Sequence, residues 1–204
     1  MTSLSTAIRA AGLAALTMLA VATSSATWAA PATPAPSDSI YQLPLTLTDQ
    51  AGHNFQLADR RGAPMLVSMF YTSCQFVCPM LIDALRQTEA QLSDTERARL
   101  TVLMVSFDPA HDTVTVLKRT AEERKLDGNH WTLARADAKS VRKFAAVLGI
   151  QYRQLPSGDF NHTTAMILID REGRIAARTE KLGDTDPAFV KLVKATVGTQ
   201  AATP

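Results

Sequence analysis

The feature that most restricts the fold is an apolar run, Met65-Leu66-Val67-Ser68-Met69-Phe70, followed by Tyr71-Thr72-Ser73 and then Cys74-Gln75-Phe76-Val77-Cys78-Pro79. The run does not alternate, so it is predicted to be a strand covered on both faces, as in parallel sheets with helices on each side. Pro79 suits the first turn of a helix, where its missing N–H leaves no bond unmade. A strand that feeds a helix through a short loop puts the loop at the carboxyl edge of the sheet, where open α/β folds hold their chemistry. That loop carries the chain's two cysteines. Amides at a helix start favour the negative form of a nearby thiol, which marks Cys74 and Cys78 as candidates for reactivity.

The Cys-x-x-x-Cys spacing leaves several chemistries open. If the segment is near-helical, the two Cα atoms lie about 6 Å apart, inside the disulfide range of roughly 4.4 to 6.8 Å. Oxidised, the pair could form a redox-active disulfide; reduced, two soft thiolates on one side of a turn suit a soft metal such as Cu(I). A purely structural disulfide is the plainer reading, but closing a loop of about five residues gains only about 2 kcal/mol. Two inert core cysteines one helical turn apart are a further plain reading, opposed by the loop-like Thr72-Ser73 and by Pro79.

The rest of the chain supplies a platform. Leu43 to Thr48 and Asn54 to Leu57 alternate around Asp49-Gln50-Ala51-Gly52 and predict a β-hairpin. An amphipathic helix is predicted from Pro79 to about Ser93, a buried strand over Leu100 to Phe107, and a helix capped by Asp112 or Thr113 running to about Glu123. Trp131-Thr132-Leu133 and Tyr152 suggest short strands, Ala138 to Leu148 a helix stopped at Gly149, Thr164 to Ile169 with Ile175 to Thr179 a hairpin, and Pro187 to Val197 a last helix. This order is that of an α/β protein, a thioredoxin-like fold with an amino-terminal β-hairpin extension.

Residues 1–30 have the form of a secretory signal peptide, or of an anchor if uncleaved: Arg9, then an apolar stretch from Ala10 to Ala22, then small residues to Ala30. Residues 31–39 form a Pro/Ala linker, 40–198 the folded domain and 199–204 a disordered tail. The expected location is the periplasm, with the linker a tether to the inner membrane where the leader is retained. Its 21 basic and 19 acidic residues are interspersed, which excludes the electrostatic footprint of a nucleic-acid-binding protein.

Topology singles out one of the four histidines. In this fold the Thr164 strand runs antiparallel to the Leu66 strand, so its beginning meets the other's end. His162, expected in a loop before that strand, therefore lies near Cys74 and Cys78. Two thiolates and one imidazole are too few for a closed structural zinc site, which takes four protein ligands, and they suit Cu(I). His53, His111 and His130 are expected at the surface, and Met65, Met69, Met104 and Met166 in the core; the Met80 thioether stays open as a weak ligand.

The sequence resembles the SCO/SenC family of copper chaperones over residues 41 to 197. The resemblance is carried by Cys74-Gln75-Phe76-Val77-Cys78-Pro79, by Ser106-Phe107-Asp108-Pro109 with Asp112-Thr113 and Val116-Leu117-Lys118, and by His162 before Met166 to Asp170 with Gly173-Arg174. It implies a monomeric periplasmic metallochaperone that binds copper, as Cu(I) or Cu(II), through Cys74, Cys78 and His162. It also implies delivery to, or thiol reduction of, the copper A site of cytochrome c oxidase subunit II, with a copper donor or a periplasmic thiol reductant as further partners. The chain departs from the family in having Phe76 and Met80 at positions that are commonly acidic and His111 where Arg is common. The runner-up reading is a thiol-disulfide oxidoreductase, opposed by the wider cysteine spacing and by the lack of a proline before Thr164. A module with a structural disulfide comes third.

Overall fold

The computed structural model describes residues 34–199. Their strands are β1 (Thr46–Asp49), β2 (Asn54–Gln56), β3 (Met65–Phe70), β4 (Thr101–Ser106), β5 (Trp131–Arg135), β6 (Tyr152–Gln154), β7 (Phe160–His162), β8 (Met166–Ile169) and β9 (Ile175–Thr179). Their α-helices are α1 (Val77–Ala90), α2 (Asp94–Arg97), α3 (Val114–Glu123), α4 (Ala138–Val147) and α5 (Pro187–Gly198). One sheet has the order β2-β1-β5-β4-β3-β8-β9, and β6 and β7 pair separately as a two-stranded sheet.

The apolar run behaves as its composition requires. Every residue of β3 is buried, with β4 parallel on one side and β8 antiparallel on the other, Leu66 standing opposite both Val102 and Leu168. On α1 the residues Cys78, Leu81, Ile82 and Leu85 recur at the helical period and form the buried face. A fully buried leucine such as Leu81 or Leu85 contributes about 1.5–3 kcal/mol. The buried Glu89 accepts a hydrogen bond from Trp131 Nε1 at 2.9 Å and ties α1 to β5.

The helix ends follow from short polar side chains. Thr113 caps α3 by accepting from Val116 N–H, Asp137 caps α4, and Asp186 caps α5 with Pro187 at its start. Gly149 follows α4 with φ +65, a left-handed geometry that glycine adopts without strain. The single-turn α2 was not expected, although Ser93 and Glu96 form the reciprocal capping box that announces it.

Two further differences bear on function. β5 is a full member of the main sheet, parallel to β4, and the amino-terminal hairpin extends the sheet by pairing β1 with it. His162 is not in a loop: it ends β7 and stands opposite Tyr152 of β6. Asp159 and Asn161 give that stretch a loop-like composition, and the strand exists because Gly158, at φ +91, turns the chain back onto Tyr152-Arg153-Gln154.

The amino-terminal segment is anchored before residue 40. Ser39 is buried and donates to Glu172 O at 2.6 Å, Ile40 N–H donates to Gly173 O at 2.8 Å, and Ala35 packs against the core. The leader expected over 1–30 lies outside the described residues, as does the tail expected over 199–204 apart from Thr199. Among the described residues no helix is long and apolar enough to cross a membrane.

Candidate functional site

The site begins where β3 stops. Tyr71 is buried, and the next residue is clamped by Asp112: Thr72 N–H and Thr72 Oγ1 both donate to its carboxylate, the N–H at 3.2 Å. Ser106 Oγ at the end of β4 donates to the same carboxylate. Burial raises the Asp112 carboxyl above its usual range, and the Ser106 and Thr72 bonds pull it back. Of the two residues expected to cap α3, Thr113 does so, while Asp112 fixes the thiol loop to β4.

α1 starts at Val77, so Cys78 lies in its first turn and Cys74 just before it. Both are free thiols, and Cys78 N–H points at Cys74 Sγ at 3.3 Å. Their environments make them chemically unlike. Cys74, half-buried, has its thiol pulled down to about 5, first by the hydrogen bond from Cys78, with burial opposing and the amides of Cys78, Phe76 and Val77 assisting. Cys78 is 4% exposed, and its thiol is held far above the ordinary range, first by its bond to Cys74 and then by burial. The reduced pair is therefore a Cys74 thiolate that accepts a hydrogen bond from a Cys78 thiol. Phe76 and Met80, 80% and 47% exposed, stand beside it as an apolar rim.

His162 lies at the same edge of the sheet. Ser68 Oγ donates to Ala165 O at 2.6 Å, which fixes the start of β8 beside the end of β3. The imidazole is set among aromatic rings that sequence reasoning did not single out. Its centroid is 6.0 Å from Tyr71, nearly perpendicular, and 4.8 Å from Phe107. Phe160 packs on both rings and Tyr152 stacks on Phe107. Tyr71 joins the two halves of the site: its carbonyl accepts from Cys74 N–H at 3.4 Å, its hydroxyl accepts from Phe160 N–H at 3.5 Å, and its ring meets His162.

The Nδ1 of His162 lies 3.2 Å from Thr163 O. Thr164 Oγ1 lies 3.4 Å from the same nitrogen; a carbonyl only accepts, so the Thr163 contact is a hydrogen bond in the tautomer that carries Nδ1–H, which leaves Nε2 for a ligand. Cys74 and Cys78 are thus brought together, and His162 stands across Tyr71 from them. Among the described residues no three His, Cys, Asp or Glu side chains are close enough to hold a metal ion as the side chains stand. Elsewhere, His53 pairs with Asp49 at the surface and His111 with the buried Asp108.

The SCO1/SenC family model matches residues 34–197. The chain belongs to the SCO1/SenC family. Among curated relatives of this SCO1/SenC chain, the mitochondrial protein SCO2 of Saccharomyces cerevisiae is 28% identical over 134 residues, 64% of this chain and 44% of that one. The chain spans less than half the length of the curated relatives it matches. Solved structures include a SCO1/SenC family lipoprotein from Bacillus anthracis, with TM-score 0.66 and 22% identity over 74% of this chain and 91% of that one. Yeast Sco1 with copper bound gives TM-score 0.64 and 19% identity over 78% of this chain and 89% of that one. These likenesses establish the thioredoxin-like α/β fold.

Proposed function

We propose that this SCO1/SenC protein is a periplasmic copper metallochaperone that takes Cu(I) on Cys74 and Cys78, with His162 as third ligand, and delivers it to the copper A site of cytochrome c oxidase. The observation that carries this reading is the unequal thiol pair at the start of α1. A soft cation needs soft anionic sulfur, and Cys74 is already a half-exposed thiolate. Cys78 loses its proton when the ion replaces the hydrogen that now joins the two sulfurs. The donor set fits the ion: two adjacent sulfurs and an imidazole whose Nε2 is the free nitrogen.

Closure of the third bond requires the imidazole to move, because among the described residues no three ligating side chains are grouped as they stand. The β6–β7 pair is suited to that movement, being two three-residue strands outside the main sheet, and an isolated two-stranded ribbon is marginally stable. An ion held by two sulfurs and a movable nitrogen is also releasable. Loss of the nitrogen opens a coordination position for an acceptor ligand before either sulfur lets go. The copper oxidase client and the periplasmic location rest on family membership and on the form of the leader.

A Cu(I) competition titration of the reduced protein tests the reading. One ion per chain is expected for wild type, no tight binding for Cys74→Ala, and retained stoichiometry with weaker affinity for His162→Ala. No uptake by the wild type ends the proposal. Transfer is read from the absorption of the copper A centre formed in the soluble domain of an oxidase subunit II.

The same asymmetry favours a second reading, thiol-disulfide exchange. The Cys74 thiolate attacks a client disulfide and one client sulfur leaves as thiolate; Cys78 then attacks the Cys74 sulfur of the mixed disulfide and expels the second client sulfur, reducing the client by two electrons and leaving a Cys74–Cys78 disulfide. Cys78→Ser separates the two, because an oxidoreductase then accumulates the mixed disulfide.

A further inference from the structure

The turn after β4 holds a second imidazole that the proposed site does not use. The Asp108 side chain is 7% exposed, whereas that of His111 is 72% exposed. Both carboxylate oxygens of Asp108 face His111 Nδ1, at 3.0 and 2.9 Å. Among the described residues His111 is the side chain that meets this buried carboxylate. A carboxylate accepts and cannot donate, so Nδ1 carries the proton of this bond, and among the described residues Nε2 has no hydrogen-bond partner. Satisfying Asp108 needs only an N–H. The imidazole adds an outward lone pair, in the carboxylate–histidine arrangement that orients metal ligands and raises their basicity.

Its position gives the lone pair a use. His111 adjoins Asp112, which clamps Thr72 two residues before Cys74. It is held by Asp108, whose chain neighbour Phe107 packs on His162 at 4.8 Å. The segment Phe107 to Asp112 therefore touches both the thiol loop and the third ligand, and His111 is its exposed polar side chain. In the same segment Asp112 is occupied by Thr72 and Ser106, and Arg135 Nη2 donates to Pro109 O at 2.7 Å.

We propose that His111 is a docking ligand for Cu(I) at the rim of the thiol site, an inference that rests on the copper-chaperone reading above. The incoming ion bonds first to His111 Nε2. The Cu–N bond breaks as a bond to Cys74 sulfur forms, and the Cys78 proton goes to solvent as the second sulfur binds. Copper remains Cu(I) throughout, so no oxidant or reductant is required. Asp108 is a positioning residue that holds Nδ1 and so turns Nε2 outward.

Loading kinetics test the inference. Reduced protein is mixed with Cu(I) bicinchoninate, and loss of the coloured chelate is followed by stopped flow. His111→Asn keeps an N–H for Asp108 and removes the outward lone pair. It is expected to load about tenfold more slowly, the low end of what disturbing a metal-site group costs, with an unchanged endpoint of copper per chain. Asp108→Asn slows loading less and leaves the same endpoint. Loading of His111→Asn at the wild-type rate overturns the docking role and leaves the chaperone reading standing. Absence of uptake by wild type overturns both. Should His111→Asn fail to fold, wild-type imidazole resonances during substoichiometric Cu(I) addition carry the test: those of His111 must shift, and unchanged ones overturn the role.

Discussion

Cys74 and Cys78 share a residue type and a helix turn, yet one is ionised and the other is not, and the difference comes from where each lies relative to the start of α1. Cys74 faces the amides of Phe76, Val77 and Cys78 and receives the Cys78 hydrogen; Cys78 is inside the first turn and buried. In reduced, metal-free protein, the alkylation rate of Cys74 by iodoacetamide should therefore rise through a midpoint near pH 5, while Cys78 stays protected in the folded state. The sign carries to stability: a thiol pulled down in the folded state stabilises it fully above the unfolded value of 9.0, and this contribution is lost as pH falls through about 5. Cys78→Ala removes the largest cause of the shift and should move the Cys74 midpoint upward; a midpoint that stays put assigns the acidity to the helix amides instead. Asp112→Ala leaves Thr72 N–H and two hydroxyls without their acceptor. It should cost about 1–3 kcal/mol in urea denaturation and weaken Cu(I) binding by loosening the loop that carries Cys74. Asp112→Asn, which keeps an acceptor, should recover most of both.

Among elements, legibility in the sequence tracked how each one is stabilised. β3, β4 and the β8–β9 hairpin were visible because runs such as Met65 to Phe70 and the turn Asp170-Arg171-Glu172-Gly173 encode burial and reversal locally. β7 was not visible, because Phe160-Asn161-His162 becomes a strand only by pairing with Tyr152 to Gln154. The Tyr71–Phe107–Phe160 cluster and the Asp112 clamp were hidden for a related reason: each joins residues that are far apart in the chain through side-chain contacts with no periodicity. Three aromatic residues and a histidine falling at strand ends on one sheet edge were the available signal. The separate β6–β7 pair is expected to be the least protected element around the site. Gly158→Ala places a side chain at φ +91, which should cost about 1–2 kcal/mol, felt mainly within the pair. Amide exchange at Tyr152 and His162 should accelerate, with little change at Val67 or Leu103. If β3 and β4 amides accelerate equally, the pair unfolds only with the whole domain, and the movable His162 ligand is wrong.

At the scale of the whole molecule, the sheet separates chemistry from anchoring. The carboxyl end of β3 carries the thiol loop, whereas its other end lies beside the β8–β9 turn, where Gly62 N–H donates to Arg171 O at 2.9 Å. That turn also receives the amino-terminal segment: a Cβ on Gly173 would collide with Ser39 Oγ and the Tyr41 ring, and Gly173 has φ +87. Gly173→Ala therefore meets two penalties, about 1–3 kcal/mol for crowding and about 1–2 kcal/mol for the left-handed backbone. Its urea midpoint should fall accordingly, by more than that of Gly158→Ala, which meets no atom within 4 Å. The alkylation rate of Cys74 in the still-folded variant should nevertheless match wild type, because β3 and β8 lie between the two ends and each is buried along its whole length. A Cys74 rate that changes in step with the lost stability would show that the amino-terminal anchor controls the thiol loop across the sheet.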